Sequence, residues 1–157
     1  MNLNCDKVNQ KLVHWVILYC IAEMEAIDMT MAFKEIEVLD DLYTAESPSE
    51  INLKRLAVLL DLKDKDLAEA FKIDPTVFSK SPYASSHPGL KQWMVIFNLI
   101  IRIISEAEPT LPPSEIKIKM QRWLKLPRPE FNGNSAVDEM RKGKIRQVKN
   151  LLEQLTG

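Results

Sequence analysis

The chain is poor in the residues that most often carry chemistry. Its 157 residues hold four glycines, two cysteines and two histidines, and aromatics make up only 7%. So few glycines leave no Gly-rich loop to cradle a phosphate. Cys5 and Cys20 are too few for a disulfide framework and lack metal-ligand spacing, so reduced thiols in a cytoplasmic protein are expected. His14 and His87 lie far apart, and no His/Cys/Glu cluster marks a metal site; neither metal nor cofactor is expected. Asp, Glu and Lys are plentiful, but no spacing singles one out as nucleophile, base or acid. No catalytic residue is assigned, and the chain is not expected to be an enzyme. A formal net charge of −1 argues against a polybasic nucleic-acid binder.

What is present is apolar periodicity. An apolar fraction of 46% is enough for a core, in one domain or two small ones. The pattern is helical throughout, so the expected fold is all-α in three parts: an N-terminal helical extension and linker (1–50), a helix-turn-helix-like region (51–88), and a central helix with a small C-terminal helical unit (89–157). Charge divides unevenly, at −7 over residues 1–50, +1 over 51–90 and +5 over 91–157. Solvated faces are the ordinary explanation for any one charge; different surfaces for different partners is the alternative.

Leu12 to Ala22 is a mostly apolar run of eleven residues. It has the length of a signal-peptide core, but Glu23, Glu25 and Asp28 follow at once. It is too short to span a bilayer, which takes about 20 apolar residues. A buried or partner-bound helix is the expected reading, with Met24, Met29 and Met31 as alternative starts. Phe33, Ile36, Leu39 and Tyr43 suggest a short helix, and the polar stretch from Thr44 to Glu50 reads as a linker.

From Ile51 to Leu62 the apolar residues, Val58 among them, suit a helix with a broad buried face. Asp64 is placed as the cap of a second helix over 65–71. Asp74, followed by Pro75 at the first helical position, is placed as the cap of a third. The string LAEAFKIDPTVFSK resembles the helix-turn-helix of Xre-type repressors. There Ala68 would be the small residue at a helix crossing and Ile73 the apolar residue of the turn. Thr76, Ser79 and Lys80 would lie on the recognition helix, and Lys72 and Lys80 would meet DNA phosphate. Lys72 stands where that pattern often has glycine, and Ser81-Pro82 cuts the third helix short. DNA affinity depends on Lys and Arg, and this element carries few. A packing scaffold or dimer surface is the competing reading.

Residues 89–108 form a helix that is apolar over most of its circumference. Lys91, Gln92, Asn98 and Arg102 exclude a membrane span, leaving a central helix that helps form a homodimer. A further helix begins near Pro113, with Ile116, Met120, Trp123 and Leu124 on one face and Lys117, Lys119, Arg122 and Lys125 on the other.

The remaining stretch, WLKLPRPEFNGNSAVDEMRKGKIRQVKNLLEQLTG, is densely punctuated. Pro127 and Pro129 hold the chain extended. Asn132-Gly133-Asn134 supplies a turn, Ser135 with Asp138 a capping box, and Gly143 a helix end. Ile145, Val148, Leu152 and Leu155 form the apolar stripe of a last helix, broadened by Leu151. This order is similar to the C-terminal toxin-binding domain of Xre/MbcA/ParS-type antitoxins, with Trp123, Leu124, Pro127, Pro129, Phe131, Gly133, Val137, Gly143, Val148 and Leu152 at the matching positions. The resemblance covers residues 51–157. It implies a homodimeric antitoxin that binds a RES-domain, NAD-consuming toxin, and whose helix-turn-helix binds operator DNA. The residues expected to touch the toxin are Lys142, Lys144, Arg146, Lys149, Leu155, Thr156 and Gly157. A stand-alone helix-turn-helix regulator is the alternative; no membrane partner is expected.

Overall fold

A computed structural model describes residues 37–43, 50–80 and 88–156, apart from the side chains of Val77, Ser79 and Lys80. Cys5, Cys20, His14, His87, the Leu12–Ala22 run, Phe33, Ile36, the linker over 44–49, Ser81-Pro82 and Gly157 lie outside the described residues. The chain is all-α. A 3₁₀ turn at Asp40–Leu42 leads to α1 (Leu53–Leu60), α2 (Asp64–Ala70), α3 (Pro75–Lys80), α4 (Pro88–Ala107) and α5 (Pro113–Lys125); a second 3₁₀ turn at Pro129–Phe131 then leads to α6 (Ala136–Arg141) and α7 (Ile145–Thr156). An isolated antiparallel bridge joins Tyr43 to Ile51, and no strand occurs among the described residues.

α4 is the hub. Trp93, Ile96, Phe97, Ile100 and Ile101 are each at most 2% exposed. Burial on this scale is worth about 1.5–3 kcal/mol per large apolar side chain. α5 and α7 both pack against α4, and α6 bridges α5 and α7. α5 contributes Ile116, Met120 and Leu124, all fully buried; α7 contributes Val148 and Leu152. The Phe71 and Trp93 rings meet at 4.8 Å and 53°, joining the end of α2 to α4. Arg141 pairs with Asp66 at 3.2 Å, tying α6 to α2.

The scarcity of glycine has a visible consequence. α1, α2 and α6 all end in the same way, with a left-handed residue just past the last turn. The three residues are Asp61 (φ 56°), Lys72 (φ 55°) and Gly143 (φ 79°). In each case two amide protons fold back on the helix: Asp61 and Leu62 onto Val58 and Ala57, Lys72 and Ile73 onto Glu69 and Ala68, Gly143 and Lys144 onto Met140 and Glu139. This double bond satisfies carbonyls the helix leaves without partners. Only one of the three ends uses glycine.

Several local expectations are corrected. α1 starts at Leu53, because Asn52 caps it by accepting from the amides of Lys54 and Arg55, while Ile51 is drawn into the bridge with Tyr43. Val58 is 79% exposed, so the buried face of α1 is narrower than its composition suggests. α2 begins at Asp64 itself; Lys63 is the cap residue and donates no side-chain capping bond, leaving Asp64 in the acidic first turn. Val38, Leu39, Leu42 and Tyr43 are buried in the same core as α1. The Arg55 guanidinium reinforces that junction by donating to the carbonyls of Asp41 at 2.8 Å and Tyr43 at 3.3 Å.

Candidate functional site

Two places merit description: the α2–α3 connection and the region from Trp123 to the chain end. Lys72 sits at the first in the left-handed region, a conformation normally left to glycine. Its side chain is exposed. Asp74 caps α3 by accepting from the Thr76 amide at 2.8 Å and from the Thr76 hydroxyl at 2.6 Å. That hydroxyl is therefore engaged by a carboxylate, and Asp74 stands beside any phosphate approaching Thr76. Among the expected DNA-contacting residues, Lys72 and Thr76 stand at opposite ends of one short turn; the side chains of Ser79 and Lys80 are outside the described set.

The second region is built from α5 onward. Leu124 enters the core, while Trp123 is half-buried and is covered from outside by the Arg128 guanidinium, 4.2 Å from the ring centre. Pro127 and Pro129 project the chain away from α5, and Pro129 starts the 3₁₀ turn that plants Phe131 in the core. Asn132 and Gly133 take positive φ, at 55° and 84°. The reversal closes with the Arg128 amide on the Asn134 carbonyl and the Gly133 amide on the Arg128 carbonyl, at 3.0 and 2.9 Å. Ser135 then caps α6 with both halves of the box present: its hydroxyl accepts from the Asp138 amide, and the Asp138 carboxylate accepts from the Ser135 amide.

Two carboxylates lie at the centre of this unit. Burial pushes the Asp138 carboxyl up, but the Ser135 hydroxyl and amide, with the charges of Arg141 and Lys142, outweigh it and hold the group below the ordinary range. Burial likewise pushes Glu139 up. Hydrogen bonds from Lys142 and Asn134 and the charges of Lys142 and Lys144 reverse the sign, so Glu139 is also held low. The Glu139 side chain is almost wholly buried, with Lys142 at 3.2 Å, Lys144 at 3.4 Å and the Asn134 amide at 2.9 Å.

The expected toxin-contacting residues thus divide into groups. Lys142 and Lys144 converge on Glu139. Lys149 pairs with Glu153 one turn along α7, at 3.6 Å. Arg146 is exposed, with no ion pair among the described residues. Leu155 is 56% exposed, whereas Val148 and Leu152 of the same stripe are buried. The Thr156 hydroxyl donates back to the Glu153 carbonyl at 2.8 Å. On α5, Lys117 pairs with Asp41, Lys119 with Glu108 and Lys125 with Asp61, so much of that basic face is held by the chain's own acids. Sequence reasoning missed Arg128, Glu139 and Asn134. It also missed a cleft of about 340 Å³ between the second 3₁₀ turn and α7. The spacing of Gln147, Asn150 and Gln154 at i, i+3 and i+7 was the available signal for one wall of it.

Among the described residues, no group of three or more His, Cys, Asp or Glu side chains could hold a metal ion, and no helix is long and apolar enough to cross a membrane. Comparison with protein-family models, curated proteins and solved structures finds no match to this chain.

Proposed function

We propose that the chain is an antitoxin of a type II toxin-antitoxin system, which binds and neutralises a RES-type, NAD-consuming toxin through its C-terminal unit. One observation carries this reading. Every residue of the motif that prompted the resemblance has a distinct local task in a single folded unit. Trp123 lies under Arg128. Pro129 opens the 3₁₀ turn that buries Phe131. Gly133 and Gly143 take the positive φ that each reversal needs. The motif is therefore a coherent structural module and not a chance run of punctuation. Its exposed edge, with Arg146 and Leu155 on α7, is the part left to meet a partner.

In this reading the chain is a homodimer, and α2, the Lys72 turn and α3 form a helix-turn-helix that binds operator DNA and represses the operon. Co-expression with the product of the adjacent open reading frame tests the antitoxin assignment. The two proteins copurify, and the chain restores growth arrested by its neighbour. Failure on both counts removes the assignment.

A second reading, a stand-alone helix-turn-helix regulator, is favoured by the left-handed Lys72 between two capped helices. It requires affinity for the upstream DNA that falls with salt. A mobility shift with Lys72→Ala, Thr76→Ala and Lys80→Ala variants separates the two readings. A shift by the chain alone that weakens in these variants favours the regulator; none, with or without the neighbouring protein, removes it.

A further inference from the structure

We propose that the cleft between the Pro129–Phe131 turn and α7 binds an extended peptide segment of a partner protein, reading its main chain and seating one apolar side chain. The inference rests on the cleft's own chemistry and not on the antitoxin assignment. Carboxamides dominate the lining: Asn132 and Asn134 on the turn side, Gln147, Asn150 and Gln154 along α7. Asn134 is partly committed to Glu139. The other four have no side-chain hydrogen bond among the described residues and are exposed at the cleft. A carboxamide both donates and accepts, as a peptide group does. An extended chain presents N–H and C=O groups along both edges, each of which requires a partner once desolvated. Two facing walls of amides supply that on both sides.

The apolar part of the lining is Leu151, half-buried on the α7 wall. It offers a place for a side chain standing perpendicular to the bound main chain. Dimensions agree as well. From Lys144 to Gln154 the helix rises about 15 Å. An extended chain at about 3.3 Å per residue covers that length with four or five residues.

Charge argues against the main competing occupant, a nucleic acid. Lys144 is the one cation of the lining, and it is already paired with Glu139 at 3.4 Å; Glu130 adds an exposed carboxylate at the rim. A phosphate there meets acids and no spare base. Base recognition relies on exposed aromatic faces for stacking. Phe131 is the one aromatic of the lining and is 4% exposed.

The test is a phage-displayed library of random dodecapeptides, panned on the immobilised full chain with counter-selection on the Gln147→Ala/Asn150→Ala double variant. Both positions are exposed on a helix, so the variant melts with the wild type. Enriched peptides, made synthetically, are expected to bind the wild type in fluorescence anisotropy and the variant at least tenfold more weakly. Methylating successive main-chain amides of the tightest peptide is expected to cost tenfold or more at alternate positions. No enrichment over the counter-selected variant overturns the proposal, as do equal affinities for the two proteins. Binding that survives methylation at every position also overturns it, because side chains alone are then being read. A 20-nucleotide single strand that binds the wild type and not the variant, where no peptide does, assigns the cleft to nucleic acid and overturns it equally.

Discussion

Lys72 and Gly143 hold the same backbone conformation with different means. At Gly143 nothing lies within 4 Å of where a Cβ would stand, so the requirement for glycine is purely one of backbone. A side chain in the left-handed region costs about 1–2 kcal/mol. Gly143→Ala is therefore expected to lower stability by that amount, read as a fall in the thermal midpoint. Lys72→Gly runs the other way: relief of strain exceeds the extra unfolded-state entropy, for a gain of about 0.5–1 kcal/mol. If Lys72→Gly lowers the midpoint, the left-handed assignment at the α2–α3 turn is wrong. Glu139 gives a pH prediction. Its folded-state carboxyl, like that of Asp138, is held below the ordinary range. The sign follows from linkage: a depressed carboxyl contributes stability above its unfolded value, near 4, and loses it as pH falls through the folded value. The thermal midpoint should thus be flat near neutrality and drop below about pH 4. Glu139→Gln leaves Lys142 and Lys144 without their shared acid; it is expected to lower the midpoint at pH 7 and make the acid limb shallower. An unchanged acid limb in this variant would exclude Glu139 as its source.

α5 shows which scale sequence reads well. Its apolar stripe, its start at Pro113 and its end before Pro127 follow from spacing and proline chemistry alone, and Ile116, Met120 and Leu124 are buried accordingly. The capping box at Ser135 and the left-handed Gly143 were equally legible, because each depends on residues within a few positions. The basic face of α5 was not, because its partners are remote: Asp41 is 76 positions from Lys117. The left-handed ends of α1 and α2 were hidden for a different reason, since Asp and Lys carry no strong signal for positive φ. The cleft needs the turn and α7 brought face to face, which no local pattern encodes. The Arg128–Trp123 stack falls between these cases, five residues apart but formed only because the prolines turn the chain back. Such contacts contribute about 0.5–2 kcal/mol. Arg128→Ala is expected to cost that much and to shift Trp123 emission to the red as the ring opens to water. Arg128→Lys should restore only part of it, since an ammonium does not stack as a planar guanidinium does. An emission spectrum unmoved by Arg128→Ala would show that the ring is covered by something else.

At the scale of the molecule, the core makes no division between the ends of the chain: Val38 and Leu152 belong to one buried cluster. This determines how the C-terminal contact can be tested. A chain ending after Asn150 loses Leu152, which is 1% exposed, and α7 then withdraws from α4. Removing one such side chain costs about 2–5 kcal/mol, a large part of the 5–15 kcal/mol typical of a domain. Loss of toxin neutralisation by that truncation would report unfolding as readily as lost contact. A chain ending after Gln154 separates the two. It keeps Val148 and Leu152 and removes Leu155, which is exposed, together with Thr156 and Gly157. Its midpoint is expected to stay within about 0.5 kcal/mol of the full chain, as for other surface changes, while affinity for the toxin falls at least tenfold. Retained neutralisation in a folded chain ending at Gln154 would move the contact inward, to Arg146 and the α7 surface beside the cleft. The Asn150 truncation then serves as the unfolding control, since it alone should lose the cooperative thermal transition.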